Sequence, residues 1–71
     1  MVIVQRLIPR VTWVKKIAGE RCGEIGLVFY VNVKDNWFAV IFLGDQKATF
    51  DCDPSEFKIV GVPGTVARGD L

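Results

Sequence analysis

Histidine is absent from this 71-residue sequence, and serine occurs only once, as Ser55. A catalytic triad of the Ser-His-Asp type needs an imidazole base, so this class of catalysis is excluded. No glycine-rich phosphate-binding loop with its lysine is present either. We therefore predict that the protein is not an enzyme. The alternative is an oligomeric enzyme whose pocket lies between subunits.

Cysteine is scarce as well, with only Cys22 and Cys52, thirty positions apart. Two thiols without histidine cannot supply the four ligands of a structural zinc site. A disulfide would require the fold to bring them together, and the reduced state is favoured because no secretion signal is recognised. We predict Cys52 as a small core residue and Cys22 as a loop thiol, and we expect no cofactor and no metal.

Long apolar runs are also missing. No run approaches the roughly 18 residues that a membrane-spanning helix needs. The first eight residues lack the basic start and the small-residue cleavage site of a secretion signal. We expect a soluble, cytoplasmic protein without a membrane partner, and a chain of this length forms one small domain.

Charge of one sign is not in excess overall, since the net charge is +1, but its distribution is uneven. Residues 1–34 carry a net charge of +4, and residues 35–71 carry −3. One interpretation is that these charges are solvated and partly pair across the domain. The other is a dipolar molecule that docks through a basic loop. The net charge alone gives no reason to expect nucleic acid.

The sequence is rich in residues that favour β-strands: it is 51% hydrophobic, with many Val, Ile and Phe. We predict five strands, over residues 11–14, 25–34, 37–43, 47–52 and 57–60. Asp35 and Asn36 form the tight connection of a hairpin between the second and third strands. In the fourth strand, Ala48, Phe50 and Cys52 alternate onto one face.

One helical turn is predicted before the last strand. Asp53 is placed as its N-cap, Pro54 at its first position, and Glu56 as the residue that reaches back to the cap. The order of elements is similar to the Src-homology-3-type barrel. We therefore predict an all-β fold, a small five-stranded barrel over residues 11–60, with an apolar strand or lid at residues 1–10 and an irregular or mobile tail at residues 61–71.

The stretch from Gly19 through Gly23 and Gly26 to Val28 resembles the glycine spacing of a KOW motif, a family found in transcription elongation factors and large-subunit ribosomal proteins. Glycine suits a turn with positive φ and a strand crossing without room for a side chain. Acidic residues stand here where the family usually has basic ones. The resemblance covers residues 11–40 for the motif and residues 11–60 for the barrel.

The resemblance implies an alternative function, a nucleic-acid-binding accessory factor in transcription or translation. Phosphate contacts would come from basic side chains in and near the loop after the first strand. These candidates are Arg10, Lys15, Lys16, Arg21 and Lys34. Trp13 and Tyr30 would add contacts to the nucleic acid.

Two neighbouring strands contain more apolar side chains than is usual for strands with one face exposed to solvent. In residues 25–33 and 37–43 both alternating sets are apolar, whereas a half-solvated strand alternates with polar residues. The second face is covered by the N-terminal segment or by another molecule, or local bulges fold more of it into the core. We predict a mixture of a self-contact and a lid. The lid is formed by Val2, Ile3, Val4, Leu7 and Ile8.

The favoured function is a small non-catalytic binding module that contacts a protein partner, itself included, through the aromatic face of the hairpin. A few apolar anchors can provide most of the binding energy of such a surface. The predicted anchors are Tyr30, Trp37, Ile41 and Leu43. A homo-oligomer is expected, and no small-molecule substrate is identified.

Overall fold

The computed structural model describes residues 3–61, so Val2 of the predicted lid and all but the first residue of the predicted tail lie outside it. Five antiparallel strands form one sheet in the order β4-β3-β2-β1-β5. The strands are β1 (Trp13–Lys16), β2 (Ile25–Asn32), β3 (Trp37–Phe42), β4 (Thr49–Cys52) and β5 (Phe57–Val60). The predicted all-β fold of five strands, with one helical turn before the last, is confirmed.

The sheet curls around a single core without closing. Phe38 on β3 and Phe57 on β5 have ring centroids 4.9 Å apart, although three strand spacings, about 14 Å, would separate these strands in a flat sheet. Among the described residues β4 pairs only with β3, and β5 only with β1. The word barrel therefore describes the curl but not a closed ladder.

The core lies on the inner face of the curl. Its buried cluster is Leu7, Val14, Val28, Phe38, Val40, Phe42, Cys52 and Phe57. Alternate residues of β3 point inward because successive side chains of a strand face opposite sides. The two cysteines are free, with Cys52 buried and Cys22 exposed, as predicted.

Residues 3–8 do not form the predicted strand or a lid over the hairpin. Val4–Arg6 is a 3-10 turn, closed by the Leu7 N–H, which donates to the Val4 carbonyl at 3.0 Å. Side chains three positions apart lie on the same side of such a turn. Val4 and Leu7 are therefore both buried, and Leu7 joins the core. The segment completes the core instead of covering the second face of the hairpin.

The second 3-10 turn, Pro54–Glu56, has the predicted cap but not the predicted capping box. The Asp53 carboxylate accepts hydrogen bonds from the Ser55 N–H and hydroxyl, both at 2.9 Å. These bonds favour the ionised form and lower the pKa of Asp53. The Glu56 carboxylate does not return to the cap, because it pairs with Lys16 at 3.0 Å.

A bulge in β4 overturns the predicted alternation of Phe50 with Cys52. Phe38 pairs with Cys52 and Val40 with Thr49, so two residues of β4 lie opposite Ala39 alone. The extra residue is accommodated by Asp51, whose φ of 57° is left-handed. Cys52 consequently faces the core, whereas the Phe50 side chain is 53% exposed.

The glycines of the KOW-like stretch have the two expected physical roles: a turn with positive φ, and a close approach of two strands. Gly19 and Gly23 adopt φ of 75° and 97° in the loop between β1 and β2. Gly26 lies where β2 meets β3, and a Cβ added there would be 2.5 Å from Val40 Cγ2 and 2.9 Å from the Ile41 carbonyl oxygen. The close approach of β3 to β2 therefore requires a residue without a side chain.

We expect Gly26→Ala to reduce the free energy of unfolding by about 1–3 kcal/mol, since an added methyl overpacks the contact between β2 and β3. Urea unfolding followed by tryptophan fluorescence measures this loss. Part of the loss should disappear in a Val40→Ala background, where the nearest atom is removed. Strictly additive losses would show that the contact with Val40 is not the cause.

The two thiols should differ in reactivity. Burial raises the pKa of the Cys52 thiol to about 11, so iodoacetamide at pH 8 should modify Cys22 rapidly and Cys52 only after unfolding. Mass spectrometry of the labelled chain in buffer and in urea distinguishes the two. A Cys22→Ser variant that still labels rapidly in buffer would contradict the burial of Cys52.

Candidate functional site

The side of the sheet opposite the core presents a largely apolar surface, which we call the outer face. Among residues 3–61, strand register and alternation place thirteen residues there across all five strands. They are Trp13, Lys15, Ile25, Leu27, Tyr30, Asn32, Trp37, Ala39, Ile41, Leu43, Phe50, Lys58 and Val60. Ten of them belong to β1, β2, β3 or the residue that follows β3, so the middle of the sheet forms most of this surface.

A continuous row of apolar side chains crosses the outer face. In register, Val60 lies beside Trp13, Trp13 beside Leu27, and Leu27 beside Ile41. All four are half-buried. Cross-strand apolar neighbours of this kind stabilise the sheet by packing on one another. The row therefore stabilises the isolated domain while part of each side chain stays accessible to a partner.

An aromatic cluster lies beside this row. Tyr30 and Trp37 have ring centroids 5.7 Å apart, and Trp37 and Phe50 have centroids 6.2 Å apart, in tilted and edge-to-face arrangements. These geometries are the favourable ones for aromatic pairs. Tyr30 is 49% exposed and Phe50 is 53% exposed. The cluster is thus a fixed aromatic surface with about half of two of its rings open to solvent.

The four predicted anchors are brought together by the fold. Tyr30, Trp37, Ile41 and Leu43 all belong to the outer face, and the Leu43 N–H donates to the Ile25 carbonyl at 2.9 Å, which extends the pairing of β2 with β3. Leu43 is 55% exposed, and Trp37 and Ile41 are half-buried. A second bulge, in β2 between Val28 and Tyr30, turns Tyr30 outward, and neither bulge folds the anchors into the core. Within residues 3–61 the outer face therefore stays partly exposed, apart from the fully buried Ala39.

Phe50 is the aromatic residue of this surface whose outward position the sequence did not predict. Simple alternation assigns it to the core, together with Cys52. The only local indication of a bulge is Asp51, because aspartate tolerates the left-handed region better than most residues. Trp13 was expected only as a secondary contact to nucleic acid, whereas the register places it in the middle of the apolar row.

Two of the five predicted nucleic-acid contacts are held by acidic partners. Lys16 Nζ lies 3.0 Å from Glu56 Oε1 and donates to the Glu20 carbonyl at 2.9 Å. Its ammonium also lies 5.4 Å from the centroid of the Phe57 ring. Only 12% of the Lys16 side chain is exposed. This ammonium is therefore a structural group of the core rim and is poorly placed for phosphate.

Arg21 connects two loops. Its guanidinium lies 2.7 Å from Glu24 Oε1 and 2.9 Å from Asp45 Oδ2, and its Cζ lies 4.2 Å above the Phe42 ring. The hydrogen bonds to Glu24 and then to Asp45 raise the pKa of Arg21 above its usual value. The predicted partial pairing of charges across the domain is confirmed by Lys16–Glu56 and Arg21–Asp45, since each joins the basic half to the acidic half.

The remaining predicted cations do not form one patch. Lys34 is in the turn after β2, whereas Lys15 pairs with Ile25 at the other end of that strand, about 23 Å away for an eight-residue strand. Arg10 lies with its Cζ 5.7 Å from the centroid of the Phe29 ring. The geometry thus separates the basic residues that the sequence places close together.

A groove of about 350 Å³ lies between β4, the second turn and the loop around Arg21. Its cations are paired with acids, and its thiol, Cys52, is protonated at neutral pH because burial raises its pKa to about 11. No group of three or more candidate metal ligands occurs among residues 3–61. That part of the chain also has no helix with the length and apolar character needed to cross a bilayer.

The outer face is therefore the feature of this fold with a definite chemical character: an apolar row, a half-exposed aromatic cluster and a pair of lysines. The resemblance of the glycine loop to a KOW motif stays a prediction. Comparison of the chain with protein-family models, with curated proteins and with solved structures finds no match.

Proposed function

We propose that this chain is a small non-catalytic protein-binding module that contacts its partner through the outer face. The observation that supports this most directly is the cluster of Tyr30, Trp37 and Phe50, whose rings are fixed against one another but remain partly exposed. Large apolar patches on small proteins are typically interaction sites. Rigid aromatic anchors are the usual centres of such sites.

The size of the exposed surface indicates how much of the face a partner must cover. Half of a Tyr or Phe side chain corresponds to about 100 Å², so Tyr30, Phe50 and Leu43 together offer roughly 300 Å². Burying this area contributes about 7 kcal/mol to the binding free energy. This gain is comparable with the roughly 4–15 kcal/mol that association costs in lost translational and rotational freedom. A stable complex therefore requires the apolar row to be covered together with the aromatic cluster.

The free edges of the sheet are less suited to binding than its face. The edge strand β4 has only four residues and is distorted by the bulge at Asp51, and the other edge, β5, is equally short and carries Lys58. Short strands, bulges and edge lysines are features by which proteins avoid strand addition. A partner is therefore expected to pack on the face and not to extend the sheet.

The nucleic-acid alternative has less support from the geometry. A phosphate-binding surface needs several unpaired cations close together, but Lys16 and Arg21 are paired with acids, and Lys34 lies at the far end of the sheet from Lys15. No salt-sensitive retention on single-stranded or double-stranded DNA would be expected.

Selection of a naive library of displayed cyclic peptides against the immobilised chain tests the proposal. We expect peptides to be enriched on the wild type and to lose at least roughly thirtyfold in affinity on the double variant Tyr30→Ser/Phe50→Ser, since loss of a central anchor costs about 2 kcal/mol. Both side chains are about half exposed, so the variant should fold, as circular dichroism can verify.

Ile59→Ser is the matched control, because Ile59 is a similarly exposed apolar residue of β5 that pairs with Val14 on the other side of the sheet. It should bind the enriched peptides as the wild type does. Peptides that bind the double variant as tightly as the wild type would show that the aromatic cluster is not the binding surface.

Self-association through the same face is tested by light scattering over a dilution series. The apparent mass should rise above the 7.9 kDa of one chain as the concentration increases, and this rise should be absent in Trp37→Ser. A wild type that stays monomeric at every concentration would exclude a second copy of the chain as the partner.

A further inference from the structure

Two lysines oppose each other at one end of the outer face. Lys15 on β1 and Lys58 on β5 are register partners. Lys15 lies between two residues that face the core side, Val14 and Lys16, and therefore points outward, and Lys58 follows the buried Phe57 and points the same way. Side chains directly opposite on antiparallel strands have Cβ atoms about 4.5–5.5 Å apart, and like charges there are destabilising.

Within residues 3–61, neither of these lysines lies in an ion pair, whereas Lys16 and Arg21 both do. The sequence thus supplies acids to two cations that hold loops together and leaves the Lys15–Lys58 pair facing outward. A repulsive pair of this kind reduces the stability of the isolated domain. It becomes favourable once an anion lies between the two ammonium groups.

The pair also borders the apolar surface. Lys15 is already half-buried, and in register it lies next to Ile25, while Trp13 is two residues away on the same strand and the same face. A partner that covers Trp13 and Ile25 must therefore remove water from the Lys15 ammonium. Covering an ammonium without supplying an opposite charge is costly, so an entirely apolar partner surface would not fit.

Building on the proposed function, we infer that the protein surface bound by the outer face carries an aspartate or glutamate whose carboxylate lies between Lys15 and Lys58. Aromatic and aliphatic side chains of the same surface cover the apolar row and the aromatic cluster. A carboxylate between two ammonium groups forms charge-assisted hydrogen bonds to both. The pair then fixes the orientation of the partner on an otherwise apolar face.

Nucleic acid is the other class of anionic ligand, and the surroundings favour protein. The lysine pair stands beside Ile25 and Trp13, whereas Lys16 and Arg21 are already paired with acids. Two phosphate contacts alone provide little of the affinity that nucleic-acid binding needs. A single carboxylate in an apolar surface matches the pair better.

The test uses the peptides enriched on the wild-type chain, resynthesised with each Asp or Glu replaced by its amide. We expect most enriched families to contain an acidic residue, and the amide peptide to bind roughly tenfold more weakly, as for the loss of a hydrogen bond to a charged group. On Lys15→Gln/Lys58→Gln the acidic and amide peptides should bind equally. The control Lys34→Gln/Lys47→Gln has the same change in charge away from the outer face and should retain the tenfold preference.

The outcomes separate this inference from the proposed function. Peptides that depend on the aromatic cluster but lack acids, or whose preference for acid survives Lys15→Gln/Lys58→Gln, overturn the inference and leave the proposed function standing. Peptides that ignore Tyr30→Ser/Phe50→Ser overturn both. A 20-nucleotide single-stranded DNA that displaces the acidic peptides, and binds less well to Lys15→Gln/Lys58→Gln, would assign the pair to phosphate instead.

A measurement without any ligand tests the repulsion itself. Lys58→Glu replaces the like-charged pair by an opposite one and should raise the urea midpoint of the isolated chain, with a smaller rise at 1 M NaCl because salt screens exposed charges. The same variant should bind the acidic peptides more weakly than the wild type. A midpoint that is unchanged or lowered at low salt would show that the two ammonium groups do not repel each other.

Discussion

The curl of one short-stranded sheet around a single core is the constraint on which the rest of this molecule depends. The sheet must bend far enough for Phe57 of β5 to pack on Phe38 and Phe42 of β3. This requires β2 and β3 to approach closely at Gly26, where a side chain would collide with Val40 and with the backbone of β3. Once the curl is made, the inner face holds a core cluster of eight buried side chains, one of which is Leu7, the residue after the turn at Val4–Arg6.

The outer face follows from the same constraint. Because the inner volume is limited, the second apolar set of β2 and β3 remains outside, and the β4 bulge adds Phe50 to it. The row through Trp13 and Leu27 packs well enough to stabilise the monomer, but Tyr30, Phe50 and Leu43 keep about half of their surface in solvent. The exposure of such a face on a single small chain supports the proposal of a binding module.

Charge is arranged around this apolar framework in two ways. Lys16 and Arg21 lie near aromatic rings of the core and neutralise acids from the distant half of the chain, so they hold the loop between β1 and β2 against the second turn and the connection after β3. Lys15 and Lys58 stand directly opposite each other on the other side of the sheet, an arrangement that is unfavourable for like charges. Lys15 and Lys16 are neighbours on one strand but point to opposite faces. Lys16 therefore pairs with an acid, whereas Lys15 faces another lysine.

The sequence by itself determined the class and order of the elements: five strands, the capped turn at Asp53, the glycine positions and the excess of apolar side chains in β2 and β3. These follow from local propensity and from two-residue alternation, which neighbouring residues are sufficient to define. The outward positions of Trp37, Ile41 and Leu43 also followed, because alternation is regular in β3. Tyr30 reaches the same face only through a bulge in β2 between Val28 and Tyr30, which alternation does not predict.

Only the tertiary structure decided the rest. The first strand begins at Trp13 and not two residues earlier, the N-terminal segment turns into the core, and Phe50 changes sides at Asp51, since each outcome depends on pairing with distant strands. Glu56 pairs with Lys16 and not with the N-cap of its turn for the same reason. The pairing of a cation with an acid depends on which loops lie close together in the folded chain. A shift of one residue along a strand moves a lysine from the core side of the sheet to the outer face.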